Sequence, residues 1–242
     1  MEIFAHRGWS HIYLENSMDA FLAAAHLGVS IELDVHQSKD GELVVFHDEN
    51  LKRMTGVDAL IKDLTYDELT QYPLQKAGKL KTKEQTIPRL KDVLLALQKV
   101  GFSKTLNIEL KTDVYTYEGL EKNLAQLLEE LSLDFSLVIS SFSYASLCRM
   151  HEVMPEFDYA MLVSDENSLE KGLTSDWIKA LHLPYKEHPC PKTDKAIRYW
   201  TVDVPDQVVD CKKRGASAVF TNDVQNTLWI DTHYEASRGG SD

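Results

Sequence analysis

The sequence predicts an α/β protein, a closed (β/α)8 TIM barrel with a small insertion after the second strand and a reduced sixth unit. Three observations point to it. About eight apolar strands alternate with helices along the 242 residues, each pair near the usual ~30-residue βα unit. The first strand runs into His6-Arg7-Gly8-Trp9, not the G-x-G-x-x-G that the competing open, doubly wound sheet often carries there. The polar residues that interrupt strands, His6, Glu32, Asp34, Glu109 and Trp200, all fall at or near C-terminal strand ends, where a barrel assembles its site.

The elements follow in order. Glu2–Ala5 is a short first strand. Asn16 or Ser17 caps a helix carrying Ala20, Phe21, Ala24, Ala25 and Leu27 at helical spacing, and Gly28 stops it. In the next strand Ile31, Leu33 and Val35 share one face, and Glu32, Asp34 and His36 the other. The turn Lys39-Asp40-Gly41 folds the run Leu43–Phe46 back, bringing His47 towards Glu32 and Asp34. Residues 51–87 are rich in Lys, Asp, Thr and Glu and read as an excursion from the barrel, with a capping box from Thr65 to Glu68. Pro88 restarts the pattern, and Leu90–Val100 is an amphipathic helix closed by Gly101.

The remaining units are Thr105–Leu110 with the helix Tyr117–Leu131, Leu137–Ile139 with Ala145–Val153, and Tyr159–Val163 with Glu166–Gly172. Trp177–Leu183 is a strand, but residues 184–193 hold Pro189 and Pro191 and show no helix, which makes the sixth unit the reduced one. Ala196–Val202 with Gln207–Arg214 and Ala216–Phe220 with Val224–Thr232 complete the count. The whole of 1–242 reads as one domain, and the tail from Glu235 as disordered.

Composition narrows the function. At 43% hydrophobic the chain can bury a sizeable core, and a net charge of −12 argues against nucleic acid and anionic membrane surfaces. Cys148, Cys190 and Cys211 lack metal-ligand spacing and read as reduced thiols of a cytoplasmic protein. Met1-Glu2 opens without the basic and apolar regions of a targeting peptide, and no stretch has spanning length, so no stable membrane association is expected.

Glu32 and Asp34, at i and i+2, point the same way and repel unless a cation sits between them. A hard divalent ion, Mg²⁺ or Ca²⁺, takes such oxygen ligands. The plainer reading is a hairpin with one wet face. Glu109 is either a third ligand or a salt-bridge partner of Lys111, and His6 either a site residue or a loop cap. Taken together, three carboxylates, the histidines His6 and His47, and the cations Arg7 and Lys111 converge on one mouth. That set suits phosphoryl transfer: a metal on Glu32, Asp34 and Glu109, bidentate phosphate binding by Arg7 with Lys111 beside it, and an imidazole pair as acid and base. A diester expelling an aliphatic alkoxide gains most from such an acid.

With these residues in hand, the chain resembles the glycerophosphodiester phosphodiesterase family. The motifs appear in family order: His6-Arg7-Gly8, Glu15-Asn16-Ser17, Glu32-Leu33-Asp34-Val35, Asp40-Gly41, His47-Asp48, Ile108-Glu109-Leu110-Lys111, Ser140-Ser141-Phe142, Trp200-Thr201-Val202-Asp203 and Thr221-Asn222-Asp223. The resemblance implies a metal-dependent barrel with a small insertion, hydrolysing glycerophosphodiesters to glycerol 3-phosphate and an alcohol. It implies His6 and His47 as the acid/base pair and Glu32, Asp34 and Glu109 as ligands of one Mg²⁺ or Ca²⁺. Arg7 and Lys111 would bind phosphate, Trp200 would form an apolar wall, and Glu15 and Asn16 would support the site. Leu14, Ser17 and Asp203 depart from the family's Pro, Thr and Asn; Asp203 is expected to add negative charge near the mouth.

Three other readings are distinguishable. A related lipid phosphodiesterase of the phospholipase D kind would prefer micellar substrates. A non-catalytic barrel would bind a phosphodiester without turnover, and a sugar-phosphate isomerase would release no alcohol. His36 either lines the mouth or is exposed, Phe142 either touches glycerol or packs, and Trp9, Trp177 and Trp229 read as core or its surround.

Overall fold

The computed structural model describes residues 1–76, 78–81, 83–185 and 191–236. The elements run β1 (Glu2–Ala5), α1 (Met18–His26), β2 (Ser30–Gln37), β3 (Leu43–Val45), α2 (Lys52–Thr55), a 3-10 turn Ile61–Asp63, α3 (Tyr66–Leu69), α4 (Leu90–Lys99) and β4 (Thr105–Leu110). They continue with α5 (Leu120–Glu130), β5 (Ser136–Ser141), α6 (Tyr144–Val153), β6 (Asp158–Leu162), α7 (Glu166–Thr174), β7 (Ile178–Pro184), β8 (Ala196–Trp200), α8 (Pro205–Lys213), β9 (Ala218–Thr221) and α9 (Val224–Ala236).

β1, β2, β4, β5, β6, β7, β8 and β9 pair in parallel in that order, and the β9–β1 pairing closes the cylinder. This is the (β/α)8 barrel. No helix follows β7 among the described residues, in line with the reduced sixth unit; residues 186–190, with His188 and Cys190, lie outside the described residues, as do 237–242 of the tail. Cys148 and Cys211 are free thiols. No described helix is long and apolar enough to cross a membrane.

β2 shows why the barrel closes around a polar centre. Its outward residues Ile31, Leu33 and Val35 join the main core with Phe21 and Ala24 of α1 and Val93, Leu94 and Leu97 of α4. Its other face is not wet: every residue of β2 is buried, because Glu32 and Asp34 point into the barrel interior. Below them the interior is filled by Phe4, Ala218 and Phe220 on one side and Val138, Ala160 and Ala180 on the other. β2 also runs beyond the point where β1 leaves it, and there β3 pairs antiparallel, Val35 opposite Val45. The turn at Asp40-Gly41 is thus a hairpin that delivers His47 to the mouth.

The excursion has a small core of its own. Leu51, Met54, Ile61, Leu69, Leu74 and Ile87 pack with Val44, Phe46 and Leu14. Thr65 and Glu68 form the expected capping box of α3.

Several local expectations are corrected. Ser17 alone caps α1, accepting from the Ala20 amide, because the Asn16 side chain is turned to Asp34. β8 ends at Trp200, short of Val202, and β9 starts at Ala218 after the amide of Ser217 bonds back to Ile197. His36 is fully buried against Tyr117 instead of exposed. Trp229 is 61% exposed on α9 and belongs to no core.

Candidate active site

Three carboxylates meet at the C-terminal end of the barrel. β2 and β4 are direct neighbours with Asp34 opposite Glu109 and Glu32 opposite Asn107, so parity alone places all three acids inside. One oxygen from each of Glu32, Asp34 and Glu109 lies within 4.8 Å of the others, and all three residues are buried. Burial, then the charges of Asp34 and Glu109, raises the Glu32 pKa well above the usual carboxylate value. Burial likewise raises Glu109, although Lys111 Nζ, 3.0 Å away, opposes it. Burial also acts on Asp34, but Arg7, His47, Lys111 and the Asn16 amide outweigh it and hold Asp34 below its ordinary value. Glu32 Oε1 is buried with no hydrogen-bond partner. A hard, all-oxygen donor set with an unpartnered oxygen fits a divalent cation such as Mg²⁺ or Ca²⁺.

The loop after β1 wraps this cluster. Arg7 and Asn16, neither of them glycine, adopt left-handed backbones at φ 58 and 52. That geometry aims the Arg7 amide at Glu32 Oε2 (2.7 Å) and lets the Asn16 Nδ2 donate to Asp34 Oδ2 (2.8 Å). Gly8 between them, at φ 74, touches Ala20: a Cβ there would lie 2.7 Å from the Ala20 carbonyl carbon. The Arg7 guanidinium sits between Asp34 Oδ2 (Nε, 3.5 Å) and Glu15 Oε1 (Nη1, 2.8 Å). Glu15 also accepts from Arg53 (2.6 and 2.8 Å) and Lys76 (2.9 Å), both contributed by the insertion. Asn16 is thus bonded to Asp34, and Glu15 to Arg7.

His6 and His47 both line the pocket, and each is held from Nδ1. His6 Nδ1–H donates to Asn222 Oδ1 (2.9 Å), an acceptor because Asn222 Nδ2 donates to Asp203 Oδ2 (2.7 Å). Asp203 Oδ1 also takes the Asn222 amide (2.6 Å) and the Thr221 hydroxyl (3.1 Å). Asp203 is thus not a loose negative charge at the mouth but the clamp of the amide that orients His6. Burial, then the charge of Arg7, lowers the His6 pKa to about 4, with Asn222 opposing. His47 Nδ1–H donates to Asp48 Oδ1 (2.6 Å), and Arg53 holds Asp48 with bonds of 2.6 and 3.0 Å. His36 Nε2 donates to the His47 carbonyl (3.1 Å) while its Nδ1 accepts from Tyr117 (2.7 Å).

Trp200 and Phe142 form an apolar wall, their rings edge to face at 5.7 Å, with Trp200 Nε1 donating to the His182 carbonyl. Arg7, Glu32 and Glu109 line the same pocket. Lys111 stands behind it, bonded to Glu109 and 5.9 Å from the Phe142 ring.

Residues 6–226 match the model of the "Glycerophosphoryl diester phosphodiesterase family". The chain belongs to that family. By family it is a phosphoric diester hydrolase. A glycerophosphodiester phosphodiesterase of Bacillus altitudinis is 34% identical over 91% of this chain and 94% of its own. Among solved structures, an Oleispira antarctica phosphodiesterase in complex with the product sn-glycerol-3-phosphate superposes with a TM-score of 0.84 at 26% identity, covering 96% of this chain and 97% of its own. The Thermotoga maritima glycerophosphodiester phosphodiesterase gives 0.72 at 28% identity, covering 95% and 97%.

Residue reasoning on this family member missed Asp48, Asn222 and Arg53 as parts of the site. Asp48 and Asn222 stand inside the HD and TND motifs, so a signal existed. Arg53 had none: it lies in the insertion and reaches the site only through folding.

Proposed function

We propose that this phosphodiesterase hydrolyses glycerophosphodiesters to glycerol 3-phosphate and an alcohol, using one Mg²⁺ or Ca²⁺ held by Glu32, Asp34 and Glu109. The observation that carries the reading is the buried carboxylate triad beside two imidazoles, each fixed from Nδ1 so that Nε2 is free for chemistry. When bound, the cation supplies charge stabilisation for the phosphoryl oxygens. Arg7 holds the phosphate by a charge-assisted, bidentate contact, with Lys111 adding positive charge behind Glu109. Trp200 and Phe142 face the carbon skeleton.

The two imidazoles differ in partner. His6 leans on a neutral amide and is uncharged near neutral pH, so its Nε2 takes the proton of the attacking oxygen, water or a glycerol hydroxyl. His47 is held from Nδ1 by the Asp48 carboxylate, and in this reading its Nε2 gives a proton to the departing alcohol. One proton is taken and one is returned as the new P–O bond forms and the P–O bond to the alcohol breaks; where the glycerol hydroxyl attacks, the cyclic phosphate that results is opened in a second step by water, which yields glycerol 3-phosphate. The same reading takes residues 1–242 as one unit, since Arg53 and Lys76 of the insertion brace Glu15. The net charge of −12 suits a small soluble diester in the cytoplasm better than nucleic acid or an anionic membrane surface.

The test is product analysis on glycerophosphocholine with chelated enzyme, adding Mg²⁺ or Ca²⁺ back. Metal-restored release of choline and glycerol 3-phosphate, lost in Glu109→Gln, is expected. No turnover with either ion, or faster turnover of micellar lipid, overturns the reading.

A further inference from the structure

Arg53 comes from the insertion and reaches two carboxylates that belong to different arms of the site. Its Nε and Nη2 donate to Asp48 Oδ2 (2.6 Å) and Oδ1 (3.0 Å), and its Nη1 and Nη2 donate to Glu15 Oε2 (2.8 Å) and Oε1 (2.6 Å). On one side Asp48 Oδ1 also takes the His47 Nδ1–H (2.6 Å), and on the other Glu15 Oε1 also takes Arg7 Nη1 (2.8 Å). One planar group therefore joins the imidazole of His47 to the guanidinium of Arg7. A rigid fork of five donors can span two carboxylates at a set angle; the ammonium of a lysine is a point charge on a flexible stem and sets none.

The link is anchored. Arg53 sits in the one-turn helix α2, and its neighbours Leu51 and Met54 are buried in the core of the insertion. The Met54 carbonyl takes the Gln75 amide (2.7 Å), and Gly56 ends the helix with a left-handed backbone at φ 80. Burial raises the pKa of both acids, but Arg53, Arg7 and Lys76 at Glu15, and His47 and Arg53 at Asp48, outweigh it and hold both well below the ordinary carboxylate value. The two sides are unequal. Without Arg53, Glu15 would keep Arg7 and Lys76 (2.9 Å), whereas among the described residues the Asp48 carboxylate would keep His47 alone.

We propose that Arg53 is a positioning residue for the reaction: through Asp48 it fixes the His47 ring against the departing alcohol, and through Glu15 it braces Arg7 on the phosphate. This rests on the phosphodiesterase reading above. The insertion is then part of the catalytic apparatus and not only a cover, and the larger share of the effect falls on His47, the side with no second cation.

The experiment removes the fork and puts it back. Arg53 is 38% exposed and lines a polar cavity of about 500 Å³, so a guanidinium ion from solution can enter the gap left in Arg53→Ala. On glycerophosphocholine that variant should lose kcat by on the order of 10-fold or more, with KM raised only a few fold. On the nitrophenyl ester of glycerol 3-phosphate, whose leaving group needs less protonation, the loss should be smaller. Guanidinium at concentrations far below denaturing ones should restore kcat of Arg53→Ala by about fivefold, while methylammonium should not. Arg53→Lys, which keeps the charge without the fork, should lose a comparable factor. Wild-type kcat in Arg53→Lys, or equal loss on both esters without rescue, overturns the proposal. The His47 ring proton gives a readout independent of turnover: a far-downfield proton resonance in wild type, broadened in Arg53→Ala and recovered with guanidinium. The same sharp resonance in wild type and in Arg53→Ala overturns the proposal. Absence of turnover in wild type, with the resonance behaving as stated, sinks the hydrolytic reading alone.

Discussion

At the scale of single residues, the site works through what holds each reactive atom. Asp203 accepts two hydrogen bonds from Asn222 and one from Thr221, and Asn222 in turn fixes the His6 ring. Asp203→Ala should lower kcat about tenfold with little change in KM, because a freed imidazole samples unproductive orientations while the phosphate sites remain. Steady-state kinetics on glycerophosphocholine checks the split. In the proposed mechanism His47→Ala removes the proton donor, and its kcat should fall by about 10²-fold or more. A substrate with a nitrophenol leaving group needs less protonation, so on that substrate the loss should be smaller.

Between residues and the whole molecule, the loop after β1 and the insertion carry the strain and the bracing. Gly8 is held at φ 74 against Ala20, so Gly8→Ala meets both an unfavourable backbone and a contact that cannot yield. Its expected cost is about 2–4 kcal/mol in urea unfolding, with Gly28→Ala, which meets open space, costing about 1 kcal/mol. Glu15 is buried and gathers Arg7, Arg53 and Lys76. Glu15→Gln leaves Arg7 short of a counter-charge, and a loss of about 2 kcal/mol is expected, moderated by the partial exposure of Arg53 and Lys76. The same variant should weaken phosphate binding, visible as a raised KM.

For the molecule as a whole, pH and metal act on one polar interior. The rings of His36 and His182 are buried and neutral, burial setting the first at about 4 and the second well below 6.5. These rings, with that of His6, favour the folded state more as pH rises from about 4 to 6.5, whereas Glu32 and Glu109, whose pKa values are raised, act the other way when no metal is bound. Measured with chelator, the urea midpoint of wild type minus that of His182→Phe should therefore climb from about pH 4.5 to 6.5 and then flatten, because the acids are common to both proteins. The buried acids predict the effect of metal: Mg²⁺ or Ca²⁺ that binds the folded site alone adds about 2.7 kcal/mol at a hundredfold excess over Kd. Thermal unfolding should show a higher midpoint with the ion and a lower one with EDTA. Glu32→Gln with Asp34→Asn should abolish that difference.

The sequence by itself determined the βα alternation, the parity that puts Glu32 and Asp34 on one face, the hairpin that returns His47, and the motifs that name the acids and histidines. These are local properties: period, turn chemistry and spacing act within a few residues, and His6, Glu32 and Glu109 each end up where strand ends place them. Only the tertiary structure decided that the supposed wet face of β2 is the inside of a closed barrel, because closure depends on β9 meeting β1. It alone joined Asp203 to His6 through Asn222, Arg53 to both Asp48 and Glu15, and Asn107 to a pocket shared with His182. Those partners lie far apart along the chain or rest on an unpatterned insertion, and no periodicity encodes a hydrogen bond between side chains that meet only when the sheet closes.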